Sequence, residues 1–360
     1  MEPIRVLHVL GSLDRAGAET MVMNIYRNIH RERIQFDFII HTSRYCDYED
    51  EVKRLGGKIY RIDTFNGRNL IEYIYTWFKF FKIHHEYKII HGHMYNLAAI
   101  YLLIARCFGK ITIAHSHSTS NGNSLIAYIK DLFCYPLRYV AEYKFACSFS
   151  AGLWLYGKKF YNSEKSFVLL NAIDLKKYCN EKINNYNDRK VFCHIGRFEE
   201  VKNHVFLIEI FAEYLKLNKD AVLYLVGNGS LREQIEIMVR DFHIEDFVYF
   251  LGVVDNVAAL LKKVDALILP SLYEGIPMVL IEAQASGVRC FISDKINKEA
   301  IIGSGVVSIS LSSSAKEWAK IIYDDNLERV DNYNILSQKG YDIEKTSRWL
   351  ENFYINLRKG

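Results

Sequence analysis

An alternation that runs twice along the chain constrains its fold more than any other feature. Short β-branched or apolar runs alternate with segments of helical period. In the first half the strand-like runs are Ile4–Leu10, Phe36–His41, Lys58–Ile62, Lys88–His93, Ile111–His117, Lys144–Ser148 and Phe167–Leu170, with helical stretches such as Ala18–Asn28 and Ser124–Val140 between them. Such alternation builds parallel sheets covered by helices on both faces. A polar stretch without apolar period, 176–190, interrupts it. The pattern restarts with strands at Val191–Gly196, Ala221–Gly227, Val248–Gly252, Ala266–Ser271, Val288–Asp294 and Val306–Leu311, and helices at Lys202–Lys216, Ser230–Phe242, Pro277–Ser286 and Ser313–Tyr323. The expected fold class is α/β, with two Rossmann-like doubly wound domains, 1–175 and 191–342, facing each other across a cleft and joined by the linker 176–190. A terminal helix is expected within 343–360, with the first domain as its candidate partner. Open α/β sheets bind ligands at the carboxyl ends of their strands.

Composition narrows the class of function. At roughly 100–200 residues per domain, 360 residues suit two domains, and a chain half hydrophobic and 24% charged is neither disordered nor fibrous. The longest wholly apolar run, Leu97–Ala105, falls far short of the ~20 residues of a bilayer span, so no transmembrane helix is expected. The N-terminus lacks the regions of a signal peptide. Seven cysteines without C-x-x-C spacing suit a reducing cytoplasm and argue against a disulfide framework or a zinc site. The net charge of +4 is uneven: residues 1–175 hold 22 Lys and Arg against 16 Asp and Glu, the remainder 24 against 26. A basic first half suits an anionic partner such as a membrane surface or a phosphate-bearing substrate; ordinary solvated charge explains it equally well. Basic residues are not interleaved with aromatics on one stripe, so no nucleic-acid partner is expected.

Four stretches carry candidate chemistry. Gly11–Gly17 lies between the first strand and a helix, where glycines let backbone amides approach an anion; its G-x5-G spacing is not the dinucleotide fingerprint, and a plain tight turn is the simpler reading. His91 and His93, and His115 and His117, form pairs that alternation puts on one face of each strand. A metal site is conceivable there, but no acidic partner has matching spacing, and hydrogen-bonding histidines on a wet cleft floor are the favoured reading. Arg197 and Lys202 follow the first strand of the second half, where a diphosphate would dock against a guanidinium fork and a point charge. The most informative stretch is Pro270–Gly287 (PSLYEGIPMVLIEAQASG). Pro277 suits a first helical position, and the amides at Ile276–Val279 are free for an anion. Glu274 lies in the loop and Glu282 in the helix, so that one carboxylate could accept from a sugar and the other from a ribose.

This last stretch resembles the E-x7-E motif of the retaining family-4 glycosyltransferases of the GT-B fold, and the likeness extends over nearly the whole chain. GSLDRAGAE resembles that family's N-terminal loop, with Ala16 where a further glycine is common. HGHMYN and ITIAHSHST resemble its His-bearing strand ends, FACSFSAGLWLYG its Ser-initiated helix and LLNAID its closing motif. GRFEEVKN, VGNGSLREQIE and FLGVVDNV follow in the family's order. The bacterial capsule and exopolysaccharide transferases are the nearest in character. The resemblance implies that Arg197 and Lys202 hold the donor diphosphate, that Glu274 contacts donor sugar hydroxyls and Glu282 the ribose, and that the backbone at Gly275, Ile276, Pro277, Met278 and Val279 caps the phosphates. It further implies that Gly252 flanks the nucleobase, that His117 faces the reacting sugar and that Gly17 lies by the diphosphate. Asn171 and Asp174 would order the domain junction. Lys88 departs from the family, which often has an acidic residue there, and the loop Asn121–Asn123 has no assignment.

The implied reaction moves a hexosyl or N-acetylhexosaminyl group, with retention, from a nucleotide-diphosphate sugar (UDP by resemblance) to a hydroxyl of a sugar acceptor, in surface polysaccharide synthesis. Cofactors are none, and no metal is required, because the two cations and the helix start meet the leaving-group charge. Residues Asn69–Lys82 (NLIEYIYTWFKFFK) predict a helix buried on most sides; the alternative is an interfacial helix that brings a cytoplasmic enzyme to the inner face of the membrane and to an undecaprenyl-diphosphate-linked acceptor. Two rival readings share the architecture: a nucleotide-sugar 2-epimerase, which is expected to lack the E-x7-E arrangement, and a non-catalytic sugar-binding protein, which has no need of the four charged residues.

Overall fold

In a computed structural model of the chain, residues 2–118, 132–160, 162–178 and 189–359 are described. The chain divides into two compact units, Met1–Ile173 with Gly340–Gly360, and Asp174–Lys339.

The first unit is built on seven parallel strands, β1 (Ile4–Leu10), β2 (Ile34–Ile40), β3 (Ile59–Arg61), β4 (Ile89–Gly92), β5 (Ile111–Ser116), β6 (Tyr143–Ala146) and β7 (Ser166–Val168), in the order β3-β2-β1-β4-β5-β6-β7. Both faces of the central strands are buried, as a sheet with helices on each side requires. Successive residues of β1 show the division: Val6 and Leu10 enter one core with Phe36, Phe38 and Phe145, whereas Leu7 and Val9 enter the other with Trp77, Tyr101 and Leu102. The terminal helix Ile343–Lys359 closes the first of these cores, with Ile343, Leu350 and Tyr354 buried in it. A parallel bridge between Ile173 and Asp342 fixes where the returning chain joins this unit.

Two expectations fail here. The helix expected over Ser124–Val140 is not continuous: residues 124–131 lie outside the described part, and beyond it residues 132–134 are helical, a turn follows at Tyr135–Pro136, and the helix Leu137–Val140 starts anew with Pro136 as its N-cap. Proline lacks the amide that a continuing helix needs, and its ring crowds the preceding turn. The aromatic helix Leu70–Ile83 is not buried on most sides. Only Tyr73, Trp77 and Phe81 are buried, while Ile71 is 86% and Tyr75 65% exposed and Leu70, Ile74 and Phe78 are also exposed. Those three buried residues recur every four positions and form one narrow stripe on the sheet, which leaves the remaining apolar side chains without cover.

The second unit has six parallel strands, β8 (Lys190–Ile195), β9 (Ala221–Val226), β10 (Val248–Gly252), β11 (Ala266–Leu269), β12 (Arg289–Ser293) and β13 (Val306–Ile309), in the order β10-β9-β8-β11-β12-β13. Strand order therefore reverses direction between β1 and β4 in one sheet and between β8 and β11 in the other. Such switch points open a crevice at the carboxyl ends of the strands. Of the linker stretch, Leu175–Tyr178 is a short helix, and residues 179–188 lie outside the described part.

Candidate active site

The switch point of the second unit lies where β8 and β11 end, and the segments that leave those strands carry the charged residues picked out in the sequence. β8 runs into Gly196 and Arg197, then a 3-10 turn at Glu200–Lys202, then Asn203 with φ 56°. Asn tolerates that left-handed conformation better than most residues. The kink ends the turn and starts the helix His204–Leu217, and the Asn203 side-chain amide holds it to the Pro270 carbonyl at 3.0 Å. The backbone of Leu272 donates to the Val201 carbonyl at 2.8 Å. The two loops are thereby stitched together, and Lys202 reaches Glu274: Nζ to Oε2 is 2.6 Å, with both side chains largely buried, 17% and 12% exposed. Ser271 Oγ donates to the other Glu274 oxygen at 2.6 Å, and Ser293 Oγ donates to the Ser271 carbonyl at 2.5 Å. The backbone of Glu274 is held as well, its carbonyl accepting from the Asn297 amide at 3.0 Å. A carboxylate so fixed at both ends is a pre-oriented acceptor.

Next to it the helix Met278–Ala285 begins. Its N-cap is Pro277 in extended conformation, and no side chain caps its first turn. The amides of Gly275, Ile276, Met278 and Val279 have no hydrogen-bond partner among the described residues. A row of unsatisfied donors at the positive end of a helix is an anion site in waiting. Nothing lies within 4 Å of where a Cβ on Gly275 would be, so the approach is open. Arg197 stands free of this cluster: its side chain is 77% exposed and pairs at 2.9 Å with Glu199.

Glu282 lies one helical turn in and does not touch Lys202 or Glu274. It accepts from Tyr178 Oη at 2.9 Å, and burial pushes its carboxyl up to about 7, against the opposing effect of that bond. Burial, and after it the Glu282 carboxylate, push the Tyr178 hydroxyl well above its ordinary range. Gly252 ends β10 with φ 66°, and its carbonyl accepts from Gly227 at 2.8 Å. A Cβ on Gly227 would sit 2.0 Å from the Gly196 carbonyl oxygen, so the carboxyl ends of β8 and β9 approach this closely only because that residue is glycine.

Gly17 and His117 belong to the first unit. Gly17 is the exposed first residue of the helix Gly17–Asn28. His117 follows β5 at its carboxyl end, half-buried, and its Nε2 lies 2.8 Å from Nδ1 of the buried His93. His93 Nε2 lies 2.9 Å from Nδ1 of His8 on β1, and His91 Nδ1 is 2.7 Å from Tyr354 Oη of the terminal helix. Five imidazoles thus stack across β1, β4 and β5 on one face of the sheet. Burial holds His8 and His117 down to about 3 and the other three well below the ordinary histidine value.

Sequence reasoning missed Tyr178, Ser271 and His8. Tyr178 lies in a stretch that reads as linker and gives no signal. Ser271 stands three residues before Glu274 inside the very motif singled out. His8 carries the i, i+2 alternation of a buried strand, but only the β1–β4 register, in which His8 is paired with His91, brings it to the other histidines.

Comparison with known proteins bears on the family and the fold. The family of glycosyl transferases group 1 matches residues 179–329. EpsF of Bacillus subtilis (strain 168), named as a glycosyltransferase, is 33% identical over 370 residues, covering 97% of this chain and 96% of EpsF. The Escherichia coli UDP-Gal:alpha-D-GlcNAc-diphosphoundecaprenol alpha-1,3-galactosyltransferase is 23% identical over 295 residues, 76% of each chain. Among solved structures, Anabaena HepE in complex with UDP superposes with a TM-score of 0.77 at 16% identity, over 98% of this chain and 100% of HepE. Two parallel-sheet Rossmann-like units with this likeness are those of the GT-B fold. With a third of its residues shared with EpsF along nearly the full length of both, the chain belongs to the group 1 glycosyltransferases.

Proposed function

We propose that this glycosyltransferase moves a hexosyl or N-acetylhexosaminyl group from a UDP-sugar to a hydroxyl of a sugar carried on undecaprenyl diphosphate, with retention of configuration, in the assembly of a surface polysaccharide. The observation that carries this reading is the Lys202–Glu274 pair set beside the uncapped start of the helix Met278–Ala285. In the proposed site the diphosphate takes the amides of Gly275, Ile276, Met278 and Val279 and draws Lys202 to itself. Glu274 is then released to accept from the sugar hydroxyls, still aimed by Ser271. Glu282 receives the ribose, Gly252 flanks the base and Gly17 adds backbone to the diphosphate side. Arg197 exchanges its solvent-exposed partner Glu199 for phosphate. His117 acts on the sugar.

Charge develops on the leaving diphosphate in the transition state. In this reading Lys202, the helix amides and Arg197 once it has left Glu199 stabilise it, so the proposed chemistry calls for no divalent metal. Retention is assigned to front-face attack, in which the departing phosphate oxygen takes the acceptor proton; Glu274, held by Ser271 and occupied by the sugar hydroxyls, is given no nucleophilic role. The acceptor class is supported by the E. coli relative, whose own substrate is a sugar on diphosphoundecaprenol, and the UDP carrier by that relative and by HepE.

Purified wild type, Lys202→Ala and Glu274→Ala, assayed with UDP-, GDP- and ADP-sugars, test the proposal. Each substitution should lower kcat about a hundredfold, roughly 3 kcal/mol of lost transition-state stabilisation, with unchanged circular dichroism, and only UDP-sugars should raise the Tm of the wild type. Near-normal turnover in both folded variants refutes the site. Epimer formation from donor alone refutes transfer.

A further inference from the structure

We propose that His93, His115 and His117 form a site for a divalent transition-metal cation of the zinc class, and that filling it withholds His117 from the sugar. The inhibition rests on the role proposed above for His117; the site does not. One nitrogen from each of the three lies within 4.8 Å of the others. Their environment leaves donors unused. Among the described residues neither nitrogen of the buried His115 makes a well-formed hydrogen bond. A buried imidazole nitrogen left unpaired is costly, and its lone pair is the group that a borderline cation seeks.

One pair needs little adjustment. His93 Nδ1 and His117 Nε2 face each other at 2.8 Å. Tetrahedral zinc, with bonds of about 2.0–2.1 Å, holds its ligand nitrogens about 3.3 Å apart, so the pair opens by roughly half an ångström. The outer shell is already built. With Nδ1 on the metal, His93 must carry its proton on Nε2, which lies 2.9 Å from His8 Nδ1 and donates to it. A second triad, His8, His91 and His93, has the same spacing, but all three of its members are buried, whereas half-buried His117 gives the first triad a way in. A donor set of three imidazoles suits zinc, nickel or copper and not magnesium or calcium, and leaves a fourth position for water.

The test titrates the full chain, freed of metal, with Zn2+ by calorimetry and with Co2+ by visible absorption, in the wild type and in His115→Phe and His115→Gln. The wild type should take up one equivalent of cobalt with d–d bands of tetrahedral strength, and each variant should bind about tenfold more weakly or worse. Zinc should slow sugar transfer by the wild type and spare the variants, which transfer at the wild-type rate without metal. No cobalt spectrum, or equal uptake by the variants, overturns the site; the transferase proposal then stands. Uptake without slowing overturns the inhibition and the role given to His117. If neither variant folds, the imidazole nitrogen resonances of the wild type decide: zinc must shift those of His93, His115 and His117, and unmoved resonances overturn the site.

Discussion

At the scale of single residues the second unit sets two carboxylates apart by environment. Glu274 is paired with a cation and a hydroxyl. Among the described residues Glu282 has only the Tyr178 hydroxyl, and its carboxyl is pushed up to about 7 by burial. A ribose donates hydrogen bonds best to the ionised form, so nucleotide affinity should increase as pH rises through about 7 and level off above it. Glu282→Gln should flatten that dependence. Tyr178→Phe removes a bond that favours the ionised carboxylate, so it should move the midpoint upward. Isothermal titration of UDP between pH 6 and 8 reads all three, and a wild-type affinity indifferent to pH contradicts the assignment of Glu282 to the nucleotide. For stability the sign is opposite. The raised folded value means that the Glu282 contribution is complete below its unfolded pKa and is lost as pH rises through about 7.

At the scale of elements, the terminal helix and the histidine-bearing strands hold the first unit together. Ile343, Leu350 and Tyr354 are at most 1% exposed. At roughly 1.5–3 kcal/mol for each buried large side chain, their loss competes with a net domain stability of about 5–15 kcal/mol. A chain ending at Lys339 should therefore lose the cooperative unfolding of this unit, read by calorimetry; a retained transition shows that the helix is dispensable. The histidines act in the acid direction. Their folded values are depressed, so the stability they bring is present above the unfolded pKa near 6.5 and is lost as pH falls below it. Each should cost about 1.4 kcal/mol per pH unit on that limb. Urea midpoints at pH 7 and pH 5 measure the loss, and equal midpoints would mean that the imidazoles are already protonated in the fold.

At the scale of the whole molecule, a basic first half carries an exposed apolar helix face. No helix among the described residues is long and apolar enough to cross a membrane. Ile71 and Tyr75 stand out from the surface beside Lys79 and Lys82, a pattern suited to lying on an anionic bilayer. The protein should float with liposomes rich in anionic lipid at low salt and less at high salt, and Ile71→Glu with Tyr75→Glu should abolish flotation without lowering Tm. Flotation unchanged by that pair would place the contact elsewhere.

The sequence by itself determined the two parallel sheets, since strand and helix periods are local properties of a chain buried in layers. It also determined the loop around Glu274, because proline, glycine and two carboxylates at fixed spacing define a helix start that no side chain caps. Tertiary structure alone decided what those groups touch. The Lys202–Glu274 pair joins residues 72 apart, Tyr178 meets Glu282 across 104 positions and His91 meets Tyr354 across 263. The break at Pro136 was legible in principle, since proline acts through its neighbours; the exposure of the aromatic helix was not. A helix shows its periodicity to the reader, but which face finds a partner depends on how much sheet there is to cover it, and that is settled only when distant strands assemble.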